Sequence, residues 1–453
     1  MAGSSGASPS APRLRRVLTL WDLVLYGIIL IQPTAPMPLF GVVAVKAQGH
    51  VVTTVLIGMF AMMLTAMSYG RMARAYPSAG SAYTYVGREL NPQLGFLTGW
   101  AMVMDYVINP IICTIWCSKA AMNILPLPYI VWAVFFAGLF TAMNLRGIRA
   151  TARTNAILTA AMSIVIVAFF VTAARYLMRL YGIGGLFSTQ PFYDPKTFSW
   201  PVVRTGTSLA ILTYIGFDGI STLSEEVENP RRNVLLATVL VCFITGVLGG
   251  LEVYMGQRVW PDFWTFPDPD TGFVSAAGRA GGIVMFHVMN ITLLVATIGS
   301  GSGAQLAAAR LLYGMGRDGV IPQRLFGYIH PRTHTPSYNV LLTGVAALGG
   351  ALLITYERGA ELLNFGAFIG FMGVNLSSLM HYYVRGERSL GNALSNLMLP
   401  LVGFGVCAYI WWALSTPARI GGAIWLAIGV VYCAWKTGLF RRQLVLPDVP
   451  AEE

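Results

Sequence analysis

The sequence is poor in charged residues. Asp, Glu, Lys and Arg make up 11% of its 453 residues, whereas a soluble domain contains about 25%. Hydrophobic residues make up 55% of the chain, and runs of roughly 20 apolar residues, long enough to cross a bilayer as a helix, recur along it. This composition excludes a soluble globular protein. It predicts an all-α membrane protein with about twelve transmembrane helices.

The residues that build metal and catalytic sites are also scarce. The chain has five histidines and five cysteines. The cysteines all fall in apolar spans, and Cys113 and Cys117 have no further Cys or His pair to complete a metal site. The glycine-rich run 299–303 lacks the Lys and the strand–helix context of a nucleotide loop. We therefore expect no cofactor, no metal and no enzymatic activity.

Positive charge is abundant but confined to particular loops. The chain carries 30 Lys and Arg against 19 Asp and Glu, a net charge of +11. The basic residues concentrate before the first span and in alternate loops, which is the positive-inside bias of membrane proteins. This bias predicts a multi-pass protein of the cell (inner) membrane with both termini in the cytoplasm. Because the bias accounts for the basicity, we expect no nucleic-acid partner.

Two hydrophobic stretches are interrupted at corresponding places in the two halves of the chain. The stretch 21–45 is broken by Gln32-Pro33-Thr34-Ala35-Pro36, and the stretch 203–227 by Tyr214-Ile215-Gly216-Phe217-Asp218-Gly219. Lipid offers no hydrogen-bond partners, so such breaks are tolerated only where they line a cavity enclosed by protein. A matching pair of breaks is typical of a transporter whose site lies between inverted repeats.

The spans divide into two units of five. We predict a first repeat over 18–176, an extracytoplasmic loop over 177–202, a second repeat over 203–384 and two further transmembrane helices, 11 and 12, over 385–440. Short cytoplasmic tails cover 1–17, which we expect to be disordered, and 441–453. Because five is odd, the second unit enters the membrane from the opposite side, as inverted repeats require.

Ordered motifs add a family resemblance. They include Ser68-Tyr69-Gly70-Arg71, the run 79–85, Gly216-Phe217-Asp218, Leu223-Ser224-Glu225-Glu226 and the run 310–318. In this order they resemble the amino acid–polyamine–organocation permeases, and within that superfamily the bacterial putrescine importers. The resemblance implies the LeuT-type fold, a 5+5 inverted repeat with helices 1 and 6 discontinuous. It also implies secondary active transport by alternating access.

Two acids are predicted at membrane depth. Asp218 lies at the second break and Asp105 lies within span 3, where an ionised carboxylate costs about 3 kcal/mol on insertion scales. Such an acid persists when it binds a cation or a proton, or lines a wet cavity. The alternatives are a helix-capping role for Asp218 and a hydrogen bond to a neighbouring helix for Asp105. The resemblance adds Tyr106 to the expected substrate site.

The first break bears on the identity of the substrate. Related amino acid permeases usually have a glycine-rich break here, whose free N–H groups hold the substrate carboxylate. In this chain Gln32, Pro33, Thr34 and Ala35 are the expected site residues, with no glycine among them and two prolines in the break. We therefore expect an ion-coupled importer of a small organic cation, putrescine or a related polyamine. Thr34 and Ala35 keep their N–H groups, so an amino acid permease, proton- or sodium-coupled or an exchanger, is the alternative.

Other residues complete the expected site around the second break. Gly216 lies at the break itself. The rings of Tyr106, Tyr214, Phe217 and Phe365 are candidates to cover a methylene chain or contact an ammonium group, the alternative being that they only pack helices. Glu225, at the cytoplasmic end of span 6, is a candidate inner gate, the alternative being a solvated charge cluster.

The coupling ion is left open between H⁺ and Na⁺. Many relatives carry a lysine in span 5 at a vacant sodium site, but 155–174 contains neither Lys nor Arg, and Met162 falls near that position. Asp218 or Asp105 is a candidate proton carrier. Carbonyls of the first break with Thr297 and Ser300 are candidate sodium ligands, since hard cations take oxygen ligands. The sequence leaves the oligomeric state open as well.

The predicted topology is testable by cysteine labelling. Single cysteines placed in 71–85, 146–153 and 317–334 should react with an impermeant reagent only from the cytoplasmic side, because these loops carry the basic residues. Labelling of intact cells is compared with labelling of inside-out vesicles. Reaction of any of the three loops from the outside would contradict the inverted-repeat arrangement.

Overall fold

The chain is helical along its described length. The computed structural model describes residues 18–76, 81–146, 152–317, 319, 321–331, 333, 335–386, 390–439 and 441. Among these residues there is no β-strand, and an isolated bridge pairs Leu18 with Val227. The predicted tails, apart from Arg441, and parts of the motifs 79–85 and 310–318 lie outside the described residues.

Sixteen α-helices cover most of this part of the chain. The first eight are α1 Leu20–Ile31, α2 Phe40–Lys46, α3 Val51–Ala75, α4 Ser81–Glu89, α5 Pro92–Met122, α6 Tyr129–Leu145, α7 Ala152–Tyr181 and α8 Trp200–Ala210. The rest are α9 Pro230–Val259, α10 Gly272–Arg317, α11 Gln323–Phe326, α12 Ser337–Leu353, α13 Tyr356–Leu379, α14 Leu390–Ala393, α15 Leu399–Trp411 and α16 Thr416–Lys436. Short 3₁₀ helices lie at Ile183–Leu186, Ile211–Tyr214, Phe217–Glu226, Phe263–Thr265 and Pro269–Thr271, and π-helical turns at Met380–Val384 and Leu394–Met398.

Many of these helices are suited to cross a membrane. Eight helical segments of the described chain have the length and hydropathy of membrane spans, and α1, α6 and α12 are apolar but shorter. Large side chains such as Phe60, Ile164 and Val345 are exposed on the outside of the bundle, as expected where the surroundings are lipid. The prediction of an all-α, multi-pass membrane protein is therefore confirmed.

The helix boundaries refine the predicted limits of the loop 177–202. Helix α7 continues to Tyr181, beyond the predicted limit at 176, and a 3₁₀ turn follows at Ile183–Leu186. Helix α10 bends at Gly282, whose φ of 72° separates a short first part from the apolar remainder. The loop between α7 and α8 is therefore shorter than the sequence predicts.

Hydrogen bonds between polar side chains tie neighbouring helices together inside the bundle. The amide of Asn144 on α6 donates to the Ser302 carbonyl and to Oε1 of Gln305 on α10, each at 3.0 Å. The Gln305 amide donates in turn to the Thr141 hydroxyl at 3.0 Å and to the Val340 carbonyl on α12 at 3.1 Å. Such bonds stabilise helix pairs where the hydrophobic effect between helices is absent.

Close packing of α3 against α9 provides a stability test. A methyl group added at Gly70 would lie under 3.0 Å from the backbone of Leu235, whereas one added at Gly250 would meet Leu56 at 3.6 Å, an ordinary contact. Gly70→Ala should therefore destabilise the protein by about 1–3 kcal/mol through overpacking.

The matched control is Gly250→Ala, on the same helix pair. It should be neutral or slightly stabilising, because alanine favours helix by about 1 kcal/mol over glycine. Thermal unfolding of both purified variants in detergent measures the difference. Equal melting temperatures would contradict the packing described for α3 and α9.

Candidate functional site

The first helix break lies between α1 and α2. Helix α1 ends at Ile31 and helix resumes at Phe40. Gln32 adopts a φ of 73°, and its side-chain amide donates to the Ala296 carbonyl of α10 at 3.0 Å. The break is thus where the sequence predicts it, extends three residues further than Pro36, and is attached to α10.

The second break follows α8. The 3₁₀ turn Ile211–Tyr214 is followed by Ile215, whose backbone is extended. Gly216 has a φ of 120°, a conformation that would be strained for a residue with a side chain. A Cβ on Gly216 would lie 3.4 Å from Ile31, at the end of α1. The two breaks therefore lie next to each other in the folded chain.

Asp218 lies directly after the second break, at the start of the 3₁₀ helix Phe217–Glu226. Its carboxylate is buried and lies close to the backbone amides of Gly216, Asp218 and Gly219. This proximity favours the helix-capping role that the sequence left as an alternative. A carboxylate accepts about four hydrogen bonds, so the capping role leaves room for a bound cation.

Asp105 on α5 is the second acid of the site. It is buried and close enough to Asp218 for the two to interact electrostatically. Helix α13 packs closely here, because a Cβ on Gly366 would lie 3.3 Å from the Asp105 amide nitrogen. Within the described part of the chain, no ion pair involves Asp105 or Asp218. The structure therefore brings together two buried carboxylates without a protein cation.

Tyrosines surround the two acids. Tyr106 and Tyr69 each interact electrostatically with both acids, and Tyr85 with Asp218. The Tyr69 ring contacts the rings of Phe217 at 5.3 Å and Tyr85 at 6.3 Å. The Tyr69 hydroxyl is buried and has no hydrogen-bond partner among the described residues.

Sequence reasoning missed Tyr69 and Tyr85 as site residues. Tyr69 lies in α3 and belongs to the motif Ser68-Tyr69-Gly70-Arg71, and Tyr85 lies within α4 and belongs to the run 79–85. Both motifs served only for the family resemblance. The α4 helix is tied to the second break, because the Ser81 and Ser221 hydroxyls lie 3.2 Å apart and Ser221 donates to the Asp218 carbonyl at 2.6 Å. The sequence feature that could have identified them is that both motifs contain tyrosines to which no other role was assigned.

Two of the predicted aromatic residues are fixed against neighbouring helices. The Tyr214 hydroxyl donates to the Val55 carbonyl at 2.7 Å, which fixes the ring against α3. Phe365 packs against Trp411 at 5.0 Å and against Gly422 of α16. The rotation of α13 points the Phe365 ring toward α15 and α16, and its inclusion in the substrate site stays a prediction.

The proposed gate and ion residues are placed only in part. The Glu225 backbone belongs to the 3₁₀ helix Phe217–Glu226, and its side chain lies outside the described part. The Thr297 hydroxyl donates to Leu293 within α10 at 2.8 Å, one residue beyond the carbonyl that binds Gln32. Ser300 contacts the Cys113 thiol of α5 instead. Among the described residues, no group of three His, Cys, Asp or Glu could hold a metal ion.

Comparison with known proteins decides the family. The family described as amino acid permease matches residues 36–438. The chain belongs to the amino acid permease family. Relatives of this permease are transporters, which points to transport rather than catalysis, and the predicted resemblance is confirmed.

Individual relatives match nearly the whole permease. It is 34% identical to the low-affinity putrescine importer PlaP of Escherichia coli K12, over 97% of this chain and 98% of that protein. It is 28% identical to a methylthioribose transporter of Bacillus subtilis, over 94% of each chain. It is 26% identical to the branched-chain amino acid permease BcaP of Lactococcus lactis, over 93% and 94% of the two chains.

The difference between the two buried tyrosines is testable without a ligand. Tyr214→Phe removes a hydroxyl that is bonded to Val55, and should lower the free energy of unfolding by about 0.5–1.5 kcal/mol. Tyr69→Phe removes a hydroxyl without a partner and should leave stability unchanged or higher, since an unpaired buried hydroxyl is unfavourable. Thermal unfolding in detergent measures both variants. Equal destabilisation by the two changes would mean that the Tyr69 hydroxyl is bonded in the folded protein.

Proposed function

We propose that this permease is a secondary active importer of a small organic cation, putrescine or a related polyamine, in the cell (inner) membrane. The observation that carries the proposal is the pair of buried acids, Asp105 and Asp218, which lie beside both helix breaks without a protein cation. A buried carboxylate is stabilised by a cation that reaches it. The similarity to the E. coli putrescine importer supports the substrate class.

A diamine matches the chemistry around these acids. Its two ammonium groups would engage the two carboxylates, and its methylene chain would lie against the rings of Tyr69, Tyr106 and Phe217. Aromatic faces also attract ammonium groups, by about 0.5–2 kcal/mol. The unpartnered Tyr69 hydroxyl is available as a further hydrogen-bond acceptor for an ammonium group.

The first break is poorly suited to hold a substrate carboxylate. Pro33 and Pro36 have no N–H group, and the Ala35 amide already donates to the Gln32 carbonyl at 3.1 Å. The Gln32 side chain is bonded to α10. These bonds leave the Thr34 amide as the principal donor in the break, which favours a substrate without an essential carboxylate.

The alternative is an amino acid permease. The family description and the branched-chain amino acid permease among the relatives favour it. In this case the Thr34 amide would receive the substrate carboxylate, and one of the two acids would receive its amino group.

We further propose the 5+5 arrangement with twelve spans. The eight long segments, the two broken helices, and the shorter helices α6 and α12 together bring the number of spans to twelve. A helix of 17 residues is about 25 Å long, close to the hydrocarbon thickness of about 30 Å. The positive-inside bias supports cytoplasmic termini.

Import by this permease is proposed to be ion-coupled, with H⁺ or Na⁺ as the driving ion. The bond from Gln32 to Ala296 holds the first break beside Thr297, which supports a sodium site at this junction. The Ser300 side chain contacts Cys113 of α5 instead, so it gives less support to a sodium site.

Charge removal at each acid tests the substrate class. Asp218→Asn keeps the shape but removes the charge, and a charge-assisted hydrogen bond contributes about 1.5–3 kcal/mol. Apparent affinity for putrescine should therefore fall roughly ten- to a hundred-fold. Asp105→Asn should lower the apparent affinity for a diamine by a similar factor, but it should lower the affinity for a monoamine of similar length less. Binding to purified, folded protein and uptake into proteoliposomes are the measurements.

A neutral amino acid serves as the comparison ligand. Leucine would be held mainly by its carboxylate. The wild-type protein should therefore take up leucine less well than putrescine. Unchanged putrescine binding by the Asp218→Asn variant would refute the assignment. Preferred uptake of leucine by the wild type would favour the amino acid permease instead.

A further inference from the structure

A third acid, Glu252, is buried in the bundle away from the two site acids. It lies on α9 and is 1% exposed, and neither carboxylate oxygen has a hydrogen-bond partner among the described residues. Helix α9 ends seven positions further along, at Val259, which is about 10 Å along the helix. An ionised carboxylate in such a place costs several kcal/mol. The structure thus holds a buried carboxyl group with no described partner that would stabilise its ionised form.

The position of Glu252 on α9 shows what it faces. Residues three and four apart share a helix face, so Glu252 lies between Gly249 and Gly256. A Cβ on Gly249 would contact Pro36 of the first break at 3.1 Å. A Cβ on Gly256 would contact Phe273 at 3.1 Å and Phe40 of α2 at 3.2 Å. Glu252 therefore lies on the face of α9 that packs against the outer half of the broken helix and the first part of α10.

Charged and titratable groups on the surrounding elements do not neutralise Glu252. No charged group among the described residues interacts electrostatically with its carboxylate, which is buried. The groups toward the outer end of the bundle have other partners or are exposed. Lys46 forms an ion pair with Glu357, and His50 is hydrogen-bonded to Ala47 and Asp194. The side chains of Arg258, Tyr254 and Arg279 are hydrogen-bonded to Gly185, Leu186 and Tyr176, respectively. The His287 ring contacts Phe286, and Arg175 and Arg179 are exposed. Toward the second break, the Tyr214 hydroxyl donates to the Val55 carbonyl, and the Asp218 carboxylate lies close to backbone amides.

We propose that Glu252 is the proton-binding site that couples import to the proton gradient, a role that rests on the proposed transport function. When α2 separates from α9 in the outward-open state, water reaches the carboxylate and a hydronium ion transfers its proton to one oxygen. The neutral carboxyl then fits the closed, apolar interface described above. Release of the same proton to the inner aqueous phase regenerates the carboxylate and completes the cycle.

The surroundings of Glu252 favour a proton over a metal cation. Sodium needs several oxygen ligands around it, as hard cations do, and the face around Glu252 contacts Pro36, Phe40 and Phe273. A proton needs one carboxylate oxygen. The assignment also leaves Asp105 and Asp218 free to bind the substrate, so the substrate and the coupling ion have separate acids.

The test compares Glu252→Gln with a matched buried acid. Glutamine keeps the size and imitates the protonated carboxyl but cannot release a proton. Glu361 is the control, because it is equally buried but its two oxygens accept hydrogen bonds from the Ser415 amide and hydroxyl. Wild type, Glu252→Gln and Glu361→Gln are reconstituted in proteoliposomes with labelled putrescine. Exchange against internal putrescine is measured without a gradient, and net uptake with an acidic exterior.

The expected result is a separation of exchange from coupling. Glu252→Gln should keep exchange but lose all stimulation by the proton gradient, while Glu361→Gln should keep both. Retained stimulation in Glu252→Gln overturns the proposal. Wild-type exchange without any stimulation by the gradient also overturns it but leaves the importer function standing. Absence of putrescine exchange in the wild type refutes the importer function instead.

An infrared measurement tests the site independently of transport. Wild-type protein should show the band of a protonated carboxyl group at neutral pH that Glu252→Gln lacks and Glu361→Gln retains. Identical spectra for wild type and Glu252→Gln overturn the proposal.

If Glu252→Gln does not fold, Glu252→Asp replaces it. A changed pH profile of stimulated uptake with exchange retained then supports the assignment, and an unchanged profile overturns it.

Discussion

The lack of hydrogen-bond partners in lipid is the constraint on which the structure depends. Long helices satisfy their backbone groups internally, so a break in a membrane helix must find partners elsewhere in the protein. At the first break, turn hydrogen bonds within the break provide them, such as the one from the Ala35 amide to the Gln32 carbonyl at 3.1 Å. The Gln32 side chain attaches the break to the Ala296 carbonyl of α10. At the second break, the Gly219 amide donates to the Gly216 carbonyl at 3.0 Å, and the Asp218 carboxylate lies close to the backbone amides. Each break is thereby fixed to residues that also form the candidate site.

Close helix contacts bring these polar groups together. Gly216 lies against the end of α1, and Gly366 lies against the backbone of α5 near Asp105. A larger residue at either position would separate the elements that carry the two acids. Small residues at helix interfaces are therefore part of the geometry of the site as well as of the stability of the bundle.

The partners of the buried acids distinguish structural from functional roles. Glu89 is fully buried but is bonded to Tyr76 at the end of α3 and to His381 and Arg385 in and after the π-helical turn that follows α13. Glu361 is bonded to Ser415. Asp105, Asp218 and Glu252 have no such side-chain partners among the described residues, and two of them lie together while the third lies apart on α9. In the transport that we propose, a bound ligand or a proton neutralises these acids.

The sequence by itself determined the membrane class, the helical architecture, the family and the places of both breaks. These features depend on local properties: apolar length, the missing N–H of proline, and the conformational range of glycine. Only the tertiary structure decided which side chains meet. It placed Phe365 against Trp411, fixed Tyr214 to Val55, brought Tyr69 and Tyr85 to Asp218, and left Glu252 without a partner. The rotation of each helix about its axis sets these contacts, and it results from packing against several neighbours at once rather than from any one segment.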